Sequence, residues 1–256
     1  MYESWLANIP NWLSSCPEWV KAFIYDLYKS FIFEERYKML IDGLKITFII
    51  TIGALILGVI IGVAIGLVRT SHDNMAVRGK PKFLLRFFNT ICEIYITVIR
   101  GTPMMVQLLI MGFVVMIPKT ETQTILCGII TLGINSGAYV AEIARSGIMS
   151  INVGQMEAGR SLGLNYIQTM WYIIIPQAIK NILPALGNEM ITLLKDTSLV
   201  SVIALRDVTK QAQNLVVLTY DAYIPYIALA IIYLVLVMIL SKLVGMLERR
   251  LRKSDH

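Results

Sequence analysis

The sequence predicts an all-α membrane protein with five transmembrane helices. Of its 256 residues, 56% are hydrophobic and only 16% are charged, where a soluble domain carries about a quarter charged residues. Mean hydropathy is +0.67. Several windows of about 20 residues hold almost no charge, which is the length a helix needs to cross a hydrocarbon core. The roughly ten-residue alternation of an outer-membrane barrel is missing, so the spans are helical.

Residues 1–38 mix Trp5, Trp12, Trp19, Phe23, Phe31 and Phe33 with Glu3, Glu18, Asp26, Glu34 and Glu35. They lack the basic start and unbroken apolar core of a signal peptide. Aromatic, charge-dotted sequence of this kind suits an interfacial segment lying on the membrane surface. The first span covers about 40–68 and carries Gly58, Gly62 and Gly66 at four-residue spacing. These share a helix face and permit close backbone approach, within the subunit or at a dimer seam. A basic loop with Arg69, Arg78, Lys80, Lys82 and Arg86 follows. The second span, about 87–117, is interrupted at Arg100-Gly101-Thr102-Pro103. Pro103 removes a backbone donor, and the freed carbonyls are tolerable only against protein or a wet cavity. The break is therefore either a plain kink or a substrate contact, and in both cases it helps to line a pathway. The third span covers about 125–148, the fourth about 183–205 and the fifth about 226–247.

Charge sets the expected orientation. The loop after span one holds five Lys/Arg and the tail four, Arg249, Arg250, Arg252 and Lys253. The turn after span two holds one and the loop after span four two. By the positive-inside rule the C-terminus and the loops after spans one and three are cytoplasmic, and the N-terminal segment is extracellular. The net charge of +6 thus reads as topology, and no nucleic acid partner is expected.

Catalytic machinery is absent from the sequence. There is no G-x-x-x-x-G-K-[ST] phosphate loop, no H-E-x-x-H, and no G-x-S-x-G with a histidine partner. Cys16, Cys92 and Cys127 stand far apart, and His72 and His256 make no metal cluster. Energy for uphill movement must come from a partner or an ion gradient. One stretch does stand out: a glycine-punctuated polar interruption at 157–176, E-A-G-R-S-L-G-L-N-Y-I-Q-T-M-W-Y-I-I-I-P. Gly163 marks a turn between two short helices, and Tyr166, Met170, Trp171 and Tyr172 follow it. A helix-turn-helix of this kind suits a membrane surface or a groove on a soluble partner.

The spacing of Glu157, Ala158, Gly163, Ile173 and Pro176 resembles the coupling motif of bacterial ABC importer permeases, with Gly159 in place of the second alanine and Ile175 in place of a leucine. V-I-R-G-T-P (98–103), G-A-Y-V-A-E-I-A-R-S-G-I (137–148), I-P-Q-A-I-K-N-I-L-P-A-L-G-N-E (175–189) and L-L-K-D-T-S-L-V-S-V-I (193–203) are similar to the polar amino acid uptake subgroup. The resemblance covers about 40–252 and leaves the N-terminal segment unexplained. It implies a permease domain at 39–252 with a cytoplasmic coupling helix in about 150–180, followed by a tail at 253–256. It also implies Glu157, Ala158, Gly159 and Gly163 as the contact with cytoplasmic ABC ATPase subunits, which bind the ATP and Mg that this chain does not. Further implied partners are a second permease subunit, identical or related, and an extracellular amino acid-binding protein, in a prokaryotic plasma membrane.

Charges within the spans mark the other candidate site. A charge at mid-bilayer costs about 2.5–3.5 kcal/mol on insertion scales, so such groups face a cavity or one another. Glu189 and Asp196 are seven residues apart and share a helix face. With Arg100, Lys195, Asn188, Thr197 and Ser198 they are either structural ion pairs or a substrate site. In the second case Arg100 or Lys195 takes an α-carboxylate, and Glu189 and Asp196 take an ammonium or cationic side chain. Two carboxylates tilt the expected substrate towards a cationic amino acid. Glu142 and Arg145, three apart, are expected to pair within their own helix. The competing reading is an ion-coupled secondary amino acid transporter.

Overall fold

Without water to satisfy them, backbone groups in a bilayer must bond within their own helix, and the described residues form helices and no strand. The computed structural model describes residues 2–6, 10–78 and 82–252; Lys80, Lys253 and His256 lie outside them. Three short helices open the chain, α1 (Tyr2–Leu6), α2 (Asn11–Ser14) and α3 (Glu18–Leu27). Long helices α4 (Tyr37–Arg78) and α5 (Phe83–Gly101) follow, then α6 (Met104–Ile110) and α7 (Glu121–Met149). The second half holds α8 (Val153–Ser161), α9 (Tyr166–Thr169), α10 (Ile175–Asp196), α11 (Val208–Thr219) and α12 (Tyr223–Arg252).

Among the described residues, three helical stretches are long and apolar enough to cross a membrane, Tyr37–Asp73, Glu121–Met149 and Tyr223–Leu251. Helix α5 and the stretch Met104–Val115, bent by 103° at the Thr102-Pro103 break, make a fourth if the bent pair is one span. The span expected at about 183–205 differs. Helix α10 has the length but carries Lys180, Asn188, Glu189 and Lys195, and it stops at Asp196. A 3₁₀ segment, Thr197–Ile203, then turns inward. The Thr197 hydroxyl donates to the Leu194 carbonyl at 2.6 Å, and Val200, Ile203 and Leu205 are buried with Ile50, Leu108, Leu132 and Leu193 in the central core.

Helices α4 and α7 form the closest-packed pair, and glycine is the reason. A Cβ on Gly58 would meet Ser136 Oγ at 2.8 Å, one on Gly62 would meet Val140 Cβ at 2.5 Å, and one on Gly66 would meet Ala144 Cβ at 2.9 Å. The glycine stripe thus packs within the subunit, which answers the alternative left open by the sequence. Helix α4 also runs past the expected end of its span, so Arg69 lies on a helix and not in a loop. There it pairs with Glu142 of α7 and lies 3.7 Å from Glu93 of α5, while Arg145 of α7 reaches Asp73 of α4 at 2.8 Å. Glu142 and Arg145 are 3.7 Å apart, so their intrahelical contact is the weaker one and their main partners are on α4.

The N-terminal segment packs on the end of the bundle that holds α11. Tyr2, Trp5 and Tyr25 cluster, with Tyr2–Tyr25 centroids 4.8 Å apart. Lys29 donates to the Thr219 carbonyl at 2.5 Å, and Arg36 donates to the Lys29 carbonyl at 2.9 Å. At the opposite end of α11, Asp207 caps the helix, accepting from the Thr209 and Lys210 amides at 3.0 Å. Burial raises the Asp207 carboxyl to about 6, outweighing those amide donors, which act to lower it.

Three expectations follow from these observations. Gly62→Ala should lower stability by about 1–3 kcal/mol through overpacking, read as an earlier thermal transition in detergent. Gly245→Ala, where nothing lies within 4 Å of the added carbon, should gain about 0.5–1 kcal/mol from helix propensity. For Asp207, the folded carboxyl keeps its proton to about pH 6 while the unfolded chain releases it near the ordinary value, about 3.9. Its contribution is therefore fully present at low pH and is lost as pH rises through that window. Asp207→Asn keeps the cap and should flatten the fall in melting temperature between about pH 4 and 7.

Candidate functional site

Two places bring the singled-out residues together. The first is a cleft of about 450 Å³ lined by Arg100, Gly101, Thr102, Pro103 and Met104 at the bend, by Asn135 and Tyr139 of α7, and by Glu189, Thr192 and Asp196 of α10. The seven-residue spacing does place both carboxylates on this face. Arg100 stands across the cleft with its guanidinium carbon 5.0 Å from the Tyr139 ring centroid, a cation–π arrangement that holds it without a carboxylate. Among the described residues, neither Arg100 nor Lys195 lies within 4.0 Å of Glu189 or Asp196 as an ion pair. Ser136 instead donates to Glu189 Oε1 at 2.7 Å.

Not every expected residue reaches the cleft. Lys195 and Asn188 are exposed and Ser198 is half-buried, and none of the three lines it. The geometry of a helix explains this: Lys195 and Asp196 are adjacent, so about 100° separates their side chains. Of the two, only Asp196 lines the cleft. Conversely, Asn135, Tyr139 and Thr192 are uncharged, and intramembrane charge was the signal that pointed to the others. A run of neutral polar residues in α7, Asn135-Ser136, was the visible clue to them.

The bend has its own support. Gln107 of α6 donates to the carbonyls of Ile99, at 2.8 Å, and Thr102, at 3.1 Å, which the broken helix leaves without intrahelical partners. Its own side-chain oxygen accepts from Asn135 Nδ2 at 3.0 Å. The break is thus a fixed corner tied to α7. A carbon added to Gly101 would meet nothing within 4 Å, so that glycine marks open space beside the cleft.

The second place is the coupling segment. Asn152 caps α8 by accepting from the Gly154 amide at 2.8 Å. The helix carries Glu157 and Ala158 exposed on its surface and buries Gly159. Gly159 is more than a neutral replacement for alanine: a Cβ there would sit 2.6 Å from Thr169 Cγ2 and 2.8 Å from Ile173 Cδ1. Gly163 ends the turn with φ +85° in open space, a left-handed conformation that side chains disfavour. Asn165 and Gln168 then form a reciprocal capping box that starts α9. A π turn (Met170–Ile174) joins α9 to α10, so the chain is helical from Tyr166 to Asp196. The expected interruption is accordingly shorter, because the capping box restarts the helix only a few residues after Gly163. Met156, Ile148, Ile174 and Ala178 pack α8 onto the ends of α7 and α10, while Trp171 and Tyr172 remain exposed.

Comparison with known proteins places this arrangement. Residues 79–253 match the family described as binding-protein-dependent transport system inner membrane component. The chain belongs to that family. Its curated relatives include the glutamine transport system permease protein GlnP of Escherichia coli (strain K12), 36% identical over 216 residues, 84% of this chain and 93% of that protein. The arginine transport system permease protein ArtQ of Bacillus subtilis (strain 168) is 37% identical over 217 residues, 84% of this chain and 94% of that one. Among solved structures, an amino acid ABC transporter with histidines is 42% identical with TM-score 0.75, covering 86% of this chain and 98% of the other. The MetNI methionine ABC transporter, at 19% identity and TM-score 0.68, shares the fold. The resemblance drawn from the sequence motifs to ABC importer permeases is borne out, and an ion-coupled transporter is not favoured. Membership implies ATPase partner subunits and a second permease subunit.

Gly163→Ala should cost about 1–2 kcal/mol, the penalty for a side chain in the left-handed region, with no steric component. Gly159→Val should disturb the seat of α8 on Thr169 by overpacking, about 1–3 kcal/mol. Proteolysis of the segment in detergent-purified protein should be faster in both, and more so in the valine variant.

Proposed function

We propose that this chain is the permease subunit of an ATP-driven importer that moves polar, and in particular cationic, amino acids across a prokaryotic plasma membrane. The observation that carries the reading is the cleft in which Glu189 and Asp196 face Arg100. Arg100 is the group for an α-carboxylate, and Glu189 and Asp196 are the groups for an ammonium or cationic side chain. Asn135, Tyr139 and Thr192 supply neutral hydrogen bonds or a ring face. Lys195, Asn188 and Ser198, which point elsewhere, drop out of the proposed site. The substrates for which two relatives are named, glutamine and arginine, bracket the same chemical class. A cleft with two carboxylates and one guanidinium favours the cationic member.

In this reading the segment at about 150–180 is a cytoplasmic coupling helix, the N-terminal segment is outside and the C-terminus inside, as the loop charges predict. The coupling contact is Glu157 and Ala158, exposed on α8, with Gly159 and Gly163 shaping it. ATP and Mg bind to the partner ATPase, and this chain has no catalytic role of its own. An extracellular binding protein delivers the substrate. Closure of the ATPases would move α8, and the helical run through α9 into α10 would carry that motion roughly 35 Å to Glu189 at 1.5 Å per residue.

In the reconstituted complex, Glu157→Lys should abolish substrate-stimulated ATP hydrolysis while assembly and melting temperature stay unchanged; normal uptake in that variant refutes the coupling role. Glu189→Gln should weaken arginine or lysine transport by about tenfold or more, as loss of a charge-assisted contact of 1.5–3 kcal/mol requires, and glutamine transport far less. An equal loss for both classes overturns the charge assignment.

A further inference from the structure

Helix α5 divides its surface into three sectors. Asn89, Cys92, Ile96 and Ile99 form a buried or half-buried stripe against α7 and α4. Phe87, Ile91, Ile94 and Val98 make an exposed apolar stripe. The third sector is exposed and polar: Arg86, Thr90, Glu93, Thr97 and Arg100. Those five advance by four, three, four and three residues, so at 3.6 residues per turn they fall within about 80° of arc. The apolar stripe sits about 100° to one side, the buried stripe on the other.

Two further observations give the polar stripe a use. It is continuous with the cleft, since Arg100 and the following Gly101 line that cavity. It also runs about 21 Å along the helix, from Arg86 to Arg100 at 1.5 Å per residue, which is most of a hydrocarbon core of about 30 Å. Against lipid, a glutamate and an arginine at such depth cost about 2.5–3.5 kcal/mol each, and the exposed apolar stripe next to them is the face that suits lipid. Glu93 is partly supported, accepting from Asn89 at 3.0 Å and lying 3.7 Å from Arg69, yet half of its side chain remains open. The Thr90 hydroxyl donates to the Arg86 carbonyl at 3.0 Å, which leaves its oxygen free to accept.

We propose that this stripe of α5 lines a water-filled route between the cleft and the Arg86 end of the helix, along which a charged or zwitterionic solute moves after leaving the cleft. The inference rests on the permease reading above. It assigns Glu93 as a way-station for a cationic group, with Thr90 and Thr97 as neutral contacts on either side. The apolar stripe stays dry.

The test uses the complete transporter in proteoliposomes, in a background with Cys16, Cys92 and Cys127 changed to alanine. Single cysteines at 90, 93 and 97 are compared with single cysteines at 91, 94 and 98, using a cationic thiosulfonate reagent that does not cross membranes. Only the thiolate reacts, and it forms only in contact with water, so positions 90, 93 and 97 should label at least about tenfold faster. Maxima at 91, 94 and 98, a flat profile, or no labelling at all overturns the proposal. As a second reading, Thr97→Trp should obstruct uptake while Val98→Trp, one residue along, should leave it near the parent value; equal effects count against the route. Labelling reports water contact whatever solute moves and whatever drives it, so its failure leaves coupling through Glu157 standing. Loss of coupling, conversely, leaves the labelling pattern unchanged.

Discussion

The close approach of α4 and α7 is the constraint from which the other arrangements derive. In a bilayer no hydrophobic force draws helices together, so association depends on packing and polar contacts. Gly58, Gly62 and Gly66 let the two backbones meet at distances where any Cβ would collide with Ser136, Val140 or Ala144. The Arg69–Glu142 and Arg145–Asp73 pairs clamp the far end of the same interface. With α7 held this way, its side chains become fixed reference points. Ser136 orients Glu189, Asn135 anchors the Gln107 corner, and Tyr139 lies beneath the Arg100 guanidinium.

Around that rigid pair the remaining helices divide into parts that are tied and parts that have freedom to shift. The corner between α5 and α6 is braced by Gln107, yet it borders open space at Gly101. Helix α10 is a different kind of element. It carries both carboxylates of the cleft at one end and grows out of the coupling segment at the other. Between those ends lie a π turn and Pro184, an interior proline that removes one helical hydrogen bond. Such irregularities are where a helix bends. A load applied at α8 therefore has a continuous helical route to Glu189, with defined places along it where the angle can change.

The two candidate sites differ in what holds them. The coupling segment is shaped by backbone demands, a left-handed glycine, a capping box and a close contact at Gly159, and its exposed charge is left on the outside. The cleft is shaped by where three helices cross, and Glu189 and Arg100 are held there by Ser136 and Tyr139 and not by each other. That arrangement matters for transport, because a carboxylate already locked to an arginine would have little to offer a passing cation.

The helical class, the break at 101–103, the turn at Gly163 and the shared face of Glu189 and Asp196 were all determined by the sequence alone. Each follows from composition, from the 3.6-residue period or from a backbone preference of glycine and proline, and those are local properties. Tertiary structure decided the rest. It set α4 against α7 within one subunit, presented the Asp196 side of α10 to the cleft, drew Asn135, Tyr139 and Gln107 into the site, and ended α10 at Asp196, short of the expected residue 205. None of these is local. Periodicity says which residues share a face, but which neighbour that face meets depends on crossing geometry, and a neutral side chain reveals its role only once its partner is in place.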